Sequence, residues 1–209
     1  MRNMFIAFVL IAFPMLLQAA PEYQDEVHYQ TVIPEQPGAE GKQVKVMEFF
    51  WYGCGHCYTF EPHLEQWMEQ KSENVDFERV PAMFNRPDVI VHAKTYYALN
   101  LIGAKPEIHA KIFHAMHKEK KRMRTEEEME QFLEDNGIDM DKYRKAMKSF
   151  AVQTNVRKAA VMAENFNIRG VPSLAVDGKY KIGGLEGGEM INIMKHLVGE
   201  VSKSKAAAD

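Results

Sequence analysis

The stretch Phe49-Phe50-Trp51-Tyr52-Gly53-Cys54-Gly55-His56-Cys57-Tyr58-Thr59-Phe60 holds the only two cysteines of the chain. An apolar run, Val44 to Phe50, leads straight into it. Val44, Val46, Glu48 and Phe50 share one face of that run; Lys45, Met47 and Phe49 share the other. Mostly apolar residues on both faces predict an interior strand of a covered sheet, with Glu48 as its anomaly. After the cysteines, Phe60, Leu64, Trp67 and Met68 keep helical spacing to about Gln70, with Pro62 expected to kink the helix. Val75 to Val80 reads as the next strand, ending at Pro81. The result is a strand–helix–strand unit with the cysteine pair at the helix start.

A Cys-x-x-Cys pair in that place predicts a redox-active dithiol. Bridging two residues three apart closes a tiny loop and removes little unfolded-state entropy, which argues against a purely structural bond. The thiolate is the nucleophile, and a helix N-terminus favours negative charge. With His56 adding a donor or positive charge, the Cys54 thiol is expected in the lowered range of about 3.5–7.5. Cys57, one turn on, is expected to be the more buried, resolving partner. Stabilising the thiolate stabilises the reduced form and makes the disulfide a better oxidant, about 1.4 kcal/mol per 30 mV. A zinc site would need two more ligands; His28, His63 and His92 could contribute in principle, but no second Cys-x-x-Cys or His-x-x-x-His partners the pair. Haem attachment would need a histidine where Tyr58 stands. No metal and no cofactor is therefore expected.

The 209 residues are 46% apolar and 26% charged, with a net charge of −3, a soluble globular balance with no general attraction to nucleic acid. Arg2 is the only charge before Glu22, and Met4 to Leu17 is an apolar run followed by Gln18-Ala19-Ala20. A basic start, a short apolar core and small residues describe a secretory signal peptide, too short to span a bilayer. Cleavage is expected after Ala19, and the cysteines then work in an oxidising, exported compartment. A bacterial periplasm is the expected location.

Tyr29 to Ile33 reads as a short edge strand. From Asp88 to Asn165 the pattern is helical almost throughout. Ile90, Ala93, Tyr97 and Leu101 stripe one helix, and Ile108, Ile112, Phe113 and Met116 stripe the next, opened by Pro106. Thr125 to Glu128 is a capping-box start, and Asp139 caps a further helix that continues or restarts at Val152. Pro172 to Val176 and Lys179 to Ile182 flank Asp177-Gly178, a two-residue hairpin turn. A last helix is striped by Ile191, Met194, Leu197, Val198 and Val201. The segments are 1–19 (signal peptide), 20–87 and 167–205 (two parts of one α/β unit) and 88–166 (helical insertion).

Glu48-Phe49-Phe50, Cys54-Gly55-His56-Cys57, Phe60-Glu61 and Arg169-Gly170-Val171-Pro172 together resemble the DsbA family of periplasmic thiol–disulfide oxidoreductases. The resemblance covers the chain from Tyr23 to the last helix. It implies an α/β, thioredoxin-like fold with a helical domain inserted after the β-α-β unit. It implies that Cys54 attacks and Cys57 resolves, and that Val171-Pro172 is a cis peptide facing the disulfide. Val171 would offer backbone groups to a substrate chain. Buried Glu48 would exchange protons with Cys57; otherwise it is a solvent-facing edge residue. Glu61 and Arg79 resemble a second buried charge cluster of the family, or form a simple ion pair. The family supplies the low end of the thiol range given above, so that range is no independent expectation. The implied activity is introduction of disulfides into exported proteins with reduced cysteines, by a monomer reoxidised by a DsbB-like inner-membrane quinone reductase. Gly55-His56 departs from the Pro-His of the best-known members and matches the dipeptide typical of protein disulfide isomerases. It carries the rival reading, an isomerase or reductase of the same fold; a peptide- or metal-binding module without redox turnover is the other rival.

Overall fold

The structure is a computed structural model that describes residues 23–84, 86–104 and 106–208; the expected signal peptide lies outside them. Strand β1 (Gln30–Thr31) precedes β2 (Val44–Phe50), α1 (Gly55–Gln70) and β3 (Val75–Pro81). Five helices follow: α2 (Pro87–Leu101), α3 (Glu107–His117), α4 (Glu126–Asp135), α5 (Met140–Met147) and α6 (Phe150–Asn165). The chain then returns to β4 (Ser173–Val176), β5 (Tyr180–Gly183) and α7 (Gly187–Ala207). The sheet order is β1-β5-β4-β2-β3, with β2 parallel to β3 and every other pairing antiparallel. This is a thioredoxin-like α/β fold with a helical insertion after its β-α-β unit.

The two-faced apolarity of β2 has its reason in two cores. Val44 and Val46 pack with Leu64 and Trp67 of α1 and Met194 and Leu197 of α7. Met47 and Phe49, on the other face, belong to the core shared with the helical block, including Phe113, Ala159 and Phe166, and so does Phe50, at the strand end, although alternation puts it on the Val44 face. β2 is thus interior and buried on both faces, and Glu48 within it is fully buried. Helix α1 is continuous through Pro62. Its own start is capped by a cysteine, whereas α4 begins on the expected Thr125–Glu128 capping box. Ser149 caps α6 as a new helix, so the pattern after Asp139 restarts rather than continues.

The expected Asp177-Gly178 turn is closed by Lys179 N–H to the Val176 carbonyl at 3.0 Å, and the strand ladder resumes one residue later. The strands pair Val176 with Tyr180, so the connection is Asp177-Gly178-Lys179. Asp177 and Gly178 take the positive φ values (50° and 74°) that suit this turn. The turn is also tied to an earlier segment: Gln36 N–H donates to Gly178 and Val32 N–H to Lys179. Asp177 itself is buried, accepting from the N–H groups of Ala39 and Lys45 and pairing with Lys205 at 3.0 Å.

Candidate active site

The end of β2 turns through Trp51 to Gly53, with Cys54 N–H donating to Trp51 at 2.9 Å. Cys54 then serves as N-cap of α1, in extended conformation (φ −90°, ψ 115°). Its sulfur accepts from Cys57 N–H at 3.2 Å, so sulfur stands where an oxygen ordinarily caps a helix. Cys54 is half-buried, Cys57 is fully buried, and both are free thiols. The neighbouring Cys57 thiol contributes most to lowering Cys54; burial opposes it, and the N–H groups of Cys57 and His56 and the His56 charge add to the lowering. The Cys54 thiol is brought down to about 6. Burial, and then Cys54 itself, push Cys57 the other way. Two thiols three residues apart therefore have opposite preferences for charge.

Val171-Pro172 is cis, and the Cys54 thiol donates to the Val171 carbonyl at 3.2 Å. His56 is exposed on the first turn of α1. A cleft of about 930 Å³ opens beside these residues, lined by His56, Phe60, His63, Arg169, Val171 and Pro172 among others. Gly55 has open space around it: a Cβ there would meet nothing nearer than His117 Nδ1 at 4.0 Å.

Behind the thiols lies a buried ionic cluster. Glu48 and Arg79 are direct neighbours in the β2–β3 register, and Arg79 Nε donates to Glu48 Oε2 at 3.1 Å. The same guanidinium donates to Glu61 Oε2 at 2.9 Å. Glu48, Glu61 and Arg79 are therefore one cluster, not a Glu48 site with a second cluster beside it. Burial, and then Glu61, push the Glu48 carboxyl up to about 8 against the pull of Arg79. Burial also pushes Glu61 up, but His109 and Arg79 more than reverse this and hold it below the usual carboxylate range. Glu48 is turned toward Arg79, and no hydrogen bond joins it to Cys57 among the described residues. Glu48 is coupled through space to each thiol: the Cys54 charge raises Glu48, and the Glu48 charge raises Cys57.

His109 is the functional-looking residue that the sequence reading missed. Its Nε2 lies 3.5 Å from Glu61 Oε2, and its Nδ1 is 2.9 Å from the Tyr52 hydroxyl. The available signal was position: His109 stands three, four and seven residues before Ile112, Phe113 and Met116, a polar residue on an apolar stripe. His117 is a second such case, its Nε2 2.8 Å from the Tyr52 carbonyl and its ring stacked on Tyr58. Among the described residues no group of three or more histidine, cysteine or acidic side chains is arranged to hold a metal ion.

A thioredoxin-like sheet, a Cys-x-x-Cys capping the helix that follows β2, and a cis-proline loop against the first thiol define a thiol–disulfide oxidoreductase. The DSBA-like thioredoxin domain family matches residues 45–196. The thiol:disulfide interchange protein DsbA of Burkholderia cepacia is 41% identical over 150 residues, 72% of this chain and 70% of that protein. The same-named protein of Pseudomonas aeruginosa is 34% identical over 213 residues, spanning 100% of this chain and 99% of the relative. A crystal structure of Pseudomonas aeruginosa DsbA superposes with a TM-score of 0.79 at 34% identity, over 87% of this chain and 94% of that one. This chain belongs to the DsbA family and is a disulfide-introducing thiol–disulfide oxidoreductase.

Proposed function

We propose that Cys54 and Cys57 form the disulfide this protein transfers, with Cys54 as the sulfur that exchanges with the client. A client thiolate attacks Cys54, breaking the Cys54–Cys57 bond, forming a mixed disulfide and leaving Cys57 to take up a proton. A second client thiolate attacks the client sulfur of that mixed disulfide and expels Cys54 as a thiolate. The client loses two electrons and two protons; the dithiol gains the electrons. The observation that carries this reading is the Cys54 sulfur at a helix N-terminus, held at about 6 beside a buried Cys57 that resists ionisation. A thiol near that value is about nine-tenths thiolate at pH 7, a stable leaving group that favours transfer out of the disulfide.

Val171 and Pro172 stand opposite the exchanging sulfur, and an extended client segment lies against the Val171 backbone by strand-like pairing. His56 supports the Cys54 thiolate, and Glu48 supplies a buried protonated carboxyl behind Cys57. Clients are exported proteins with reduced cysteines, and the protein works as a monomer in the periplasm, a location that the export-like residues 1–19 support. An inner-membrane quinone reductase resembling DsbB takes the two electrons and restores the disulfide.

The test combines three measurements: thiolate absorbance across pH, the equilibrium with glutathione, and disulfide transfer to a reduced client. Cys54 is expected to titrate near pH 6 and the client to gain one disulfide per enzyme; Cys57→Ser, which has no disulfide to give, is expected to leave the client reduced. Titration near an ordinary thiol value with no client oxidation overturns the reading. Efficient reshuffling of a scrambled client at a reducing potential would replace it with the isomerase that Gly55-His56 suggests.

A further inference from the structure

The buried cluster behind the thiols has one negative charge too many. Glu48, Glu61 and Arg79 carry two carboxylates against one guanidinium, all in a desolvated setting. An uncompensated charge there is costly, so the cluster holds one proton. Two carboxyls compete for it. Both have one oxygen on Arg79, and both have the other oxygen, Oε1, buried without a protein partner. Arg79 alone does not break this near-symmetry.

His109 does. Its Nε2 is buried with no hydrogen-bond partner and lies 3.5 Å from Glu61 Oε2, just outside bonding range. Its ring is held by aromatic neighbours: Phe50, Tyr52 and Phe113 lie at centroid distances of 5.2, 5.1 and 5.2 Å. The Tyr52 hydroxyl, itself fully buried and with its pKa pushed well up, contacts Nδ1 at 2.9 Å. Donation to Nδ1 gives the buried phenol hydrogen a partner and leaves the hydrogen of a neutral imidazole on Nε2, toward the Glu61 carboxylate; the other tautomer would aim an Nε2 lone pair at that carboxylate. That hydrogen faces Glu61 and not Glu48. The titratable groups around the ring are Glu61 and Glu65 from α1, Arg79 from β3, Glu48 from β2, Tyr52 from the turn after β2 and Tyr96 from α2. Among them only the Glu61 carboxylate lies within ion-pair distance of Nε2.

We propose that His109 is a positioning residue that keeps Glu61 ionised and thereby assigns the single buried proton of the cluster to Glu48, the carboxyl that acts on the two thiols. The inference deepens the dithiol reading above and rests on it. With His109 in place, Glu48 is neutral and the thiolate of Cys54 forms without a second negative charge behind it. Without the Nε2 donor the proton is shared with Glu61, Glu48 gains negative charge, and Cys54 ionises less readily. The helical block, through one side chain of α3, therefore sets the electrostatics of a thiol in the α/β unit.

The experiment is a double-mutant cycle read by the Cys54 titration and the glutathione equilibrium. His109→Phe keeps an aromatic ring and removes the donor; it is expected to raise the Cys54 pKa by about one unit, with up to a tenfold weaker oxidising equilibrium. His109→Gln, which retains an N–H donor, is expected to recover part of that shift. In a Glu48→Gln background, where no charge can move to position 48, His109→Phe is expected to leave the Cys54 pKa unchanged. An equal shift in both backgrounds means a packing effect and overturns the proposal. No shift in either background overturns it too. A wild-type Cys54 that titrates as an ordinary thiol fails the dithiol reading instead, so the two failures are distinguishable.

Discussion

The two sides of the cysteine pair solve opposite electrostatic problems. On the Cys54 side the charge is served by the Cys57 thiol and by backbone N–H groups at the start of α1, next to His56 and an open cleft. No buried counter-ion is needed there. On the Cys57 and Glu48 side, β2, β3, α1 and α3 close over two carboxylates that share one guanidinium. The difference separates a charge that must appear and disappear during exchange from charges that stay put. The first is served by dipoles that cost no reorganisation; the second needs counter-charges and a definite place for one proton.

The closed side is the easier one to break. Arg79→Met leaves two buried carboxyls with no cation, and it is expected to destabilise the protein by about 3–5 kcal/mol in denaturant unfolding near neutral pH. The loss should shrink at acid pH as both carboxyls protonate. A loss below about 1 kcal/mol at neutral pH would mean that water, not Arg79, neutralises the pair.

Glu48→Gln sharpens the same contrast through pH. The folded Glu48 carboxyl is raised to about 8 from an ordinary 4.5. A raised value means that the folded protein binds the proton more tightly, so this contribution to stability is complete below about pH 4.5 and is lost as pH rises toward 8. Wild-type stability is therefore expected to fall through that window by up to about 1.4 kcal/mol per pH unit, and Glu48→Gln to flatten the fall. Parallel pH profiles for the two proteins would place the titrating proton elsewhere.

The smallest effect belongs to the open side. Gly55 opens α1, a Cβ there meets nothing closer than 4.0 Å, and Cys54 before it is already extended. Proline suits the first helical position and demands an extended predecessor, so Gly55→Pro is expected to stabilise by about 0.4–1 kcal/mol. The N–H groups that serve the Cys54 sulfur come from His56 and Cys57 and survive the change. Destabilisation on thermal or denaturant unfolding would show that the helix start is less open than its geometry indicates.

Much of this architecture was legible in order along the chain. The interior strand, the helix carrying the cysteine pair, the Thr125 and Asp139 caps and the Asp177-Gly178 turn all rest on local signals: periodicity, capping chemistry and positive φ. What stayed hidden involves partners far apart in sequence. Asp177 reads as a turn residue, yet it also anchors Ala39, Lys45 and Lys205. Lys179 reads as a strand residue, yet it stands outside the β4–β5 ladder and accepts from Val32, and Gly178 beside it accepts from Gln36. Glu61 with Arg79 read as a cluster separate from Glu48 because strand register, which puts Glu48 opposite Arg79, is not written in either segment alone.

The sequence by itself determined the place of the cysteine pair, the type of element on either side of it, and the direction in which a helix N-terminus shifts the first thiol. Those properties depend on neighbours within one turn or one strand. Only the tertiary structure decided that Val171 meets Cys54, that one guanidinium serves two carboxyls, and that His109 reaches Glu61 from the helical block. The reason is physical: backbone dipoles act locally, whereas the state of a buried charge depends on every group that packing brings within a few ångströms of it.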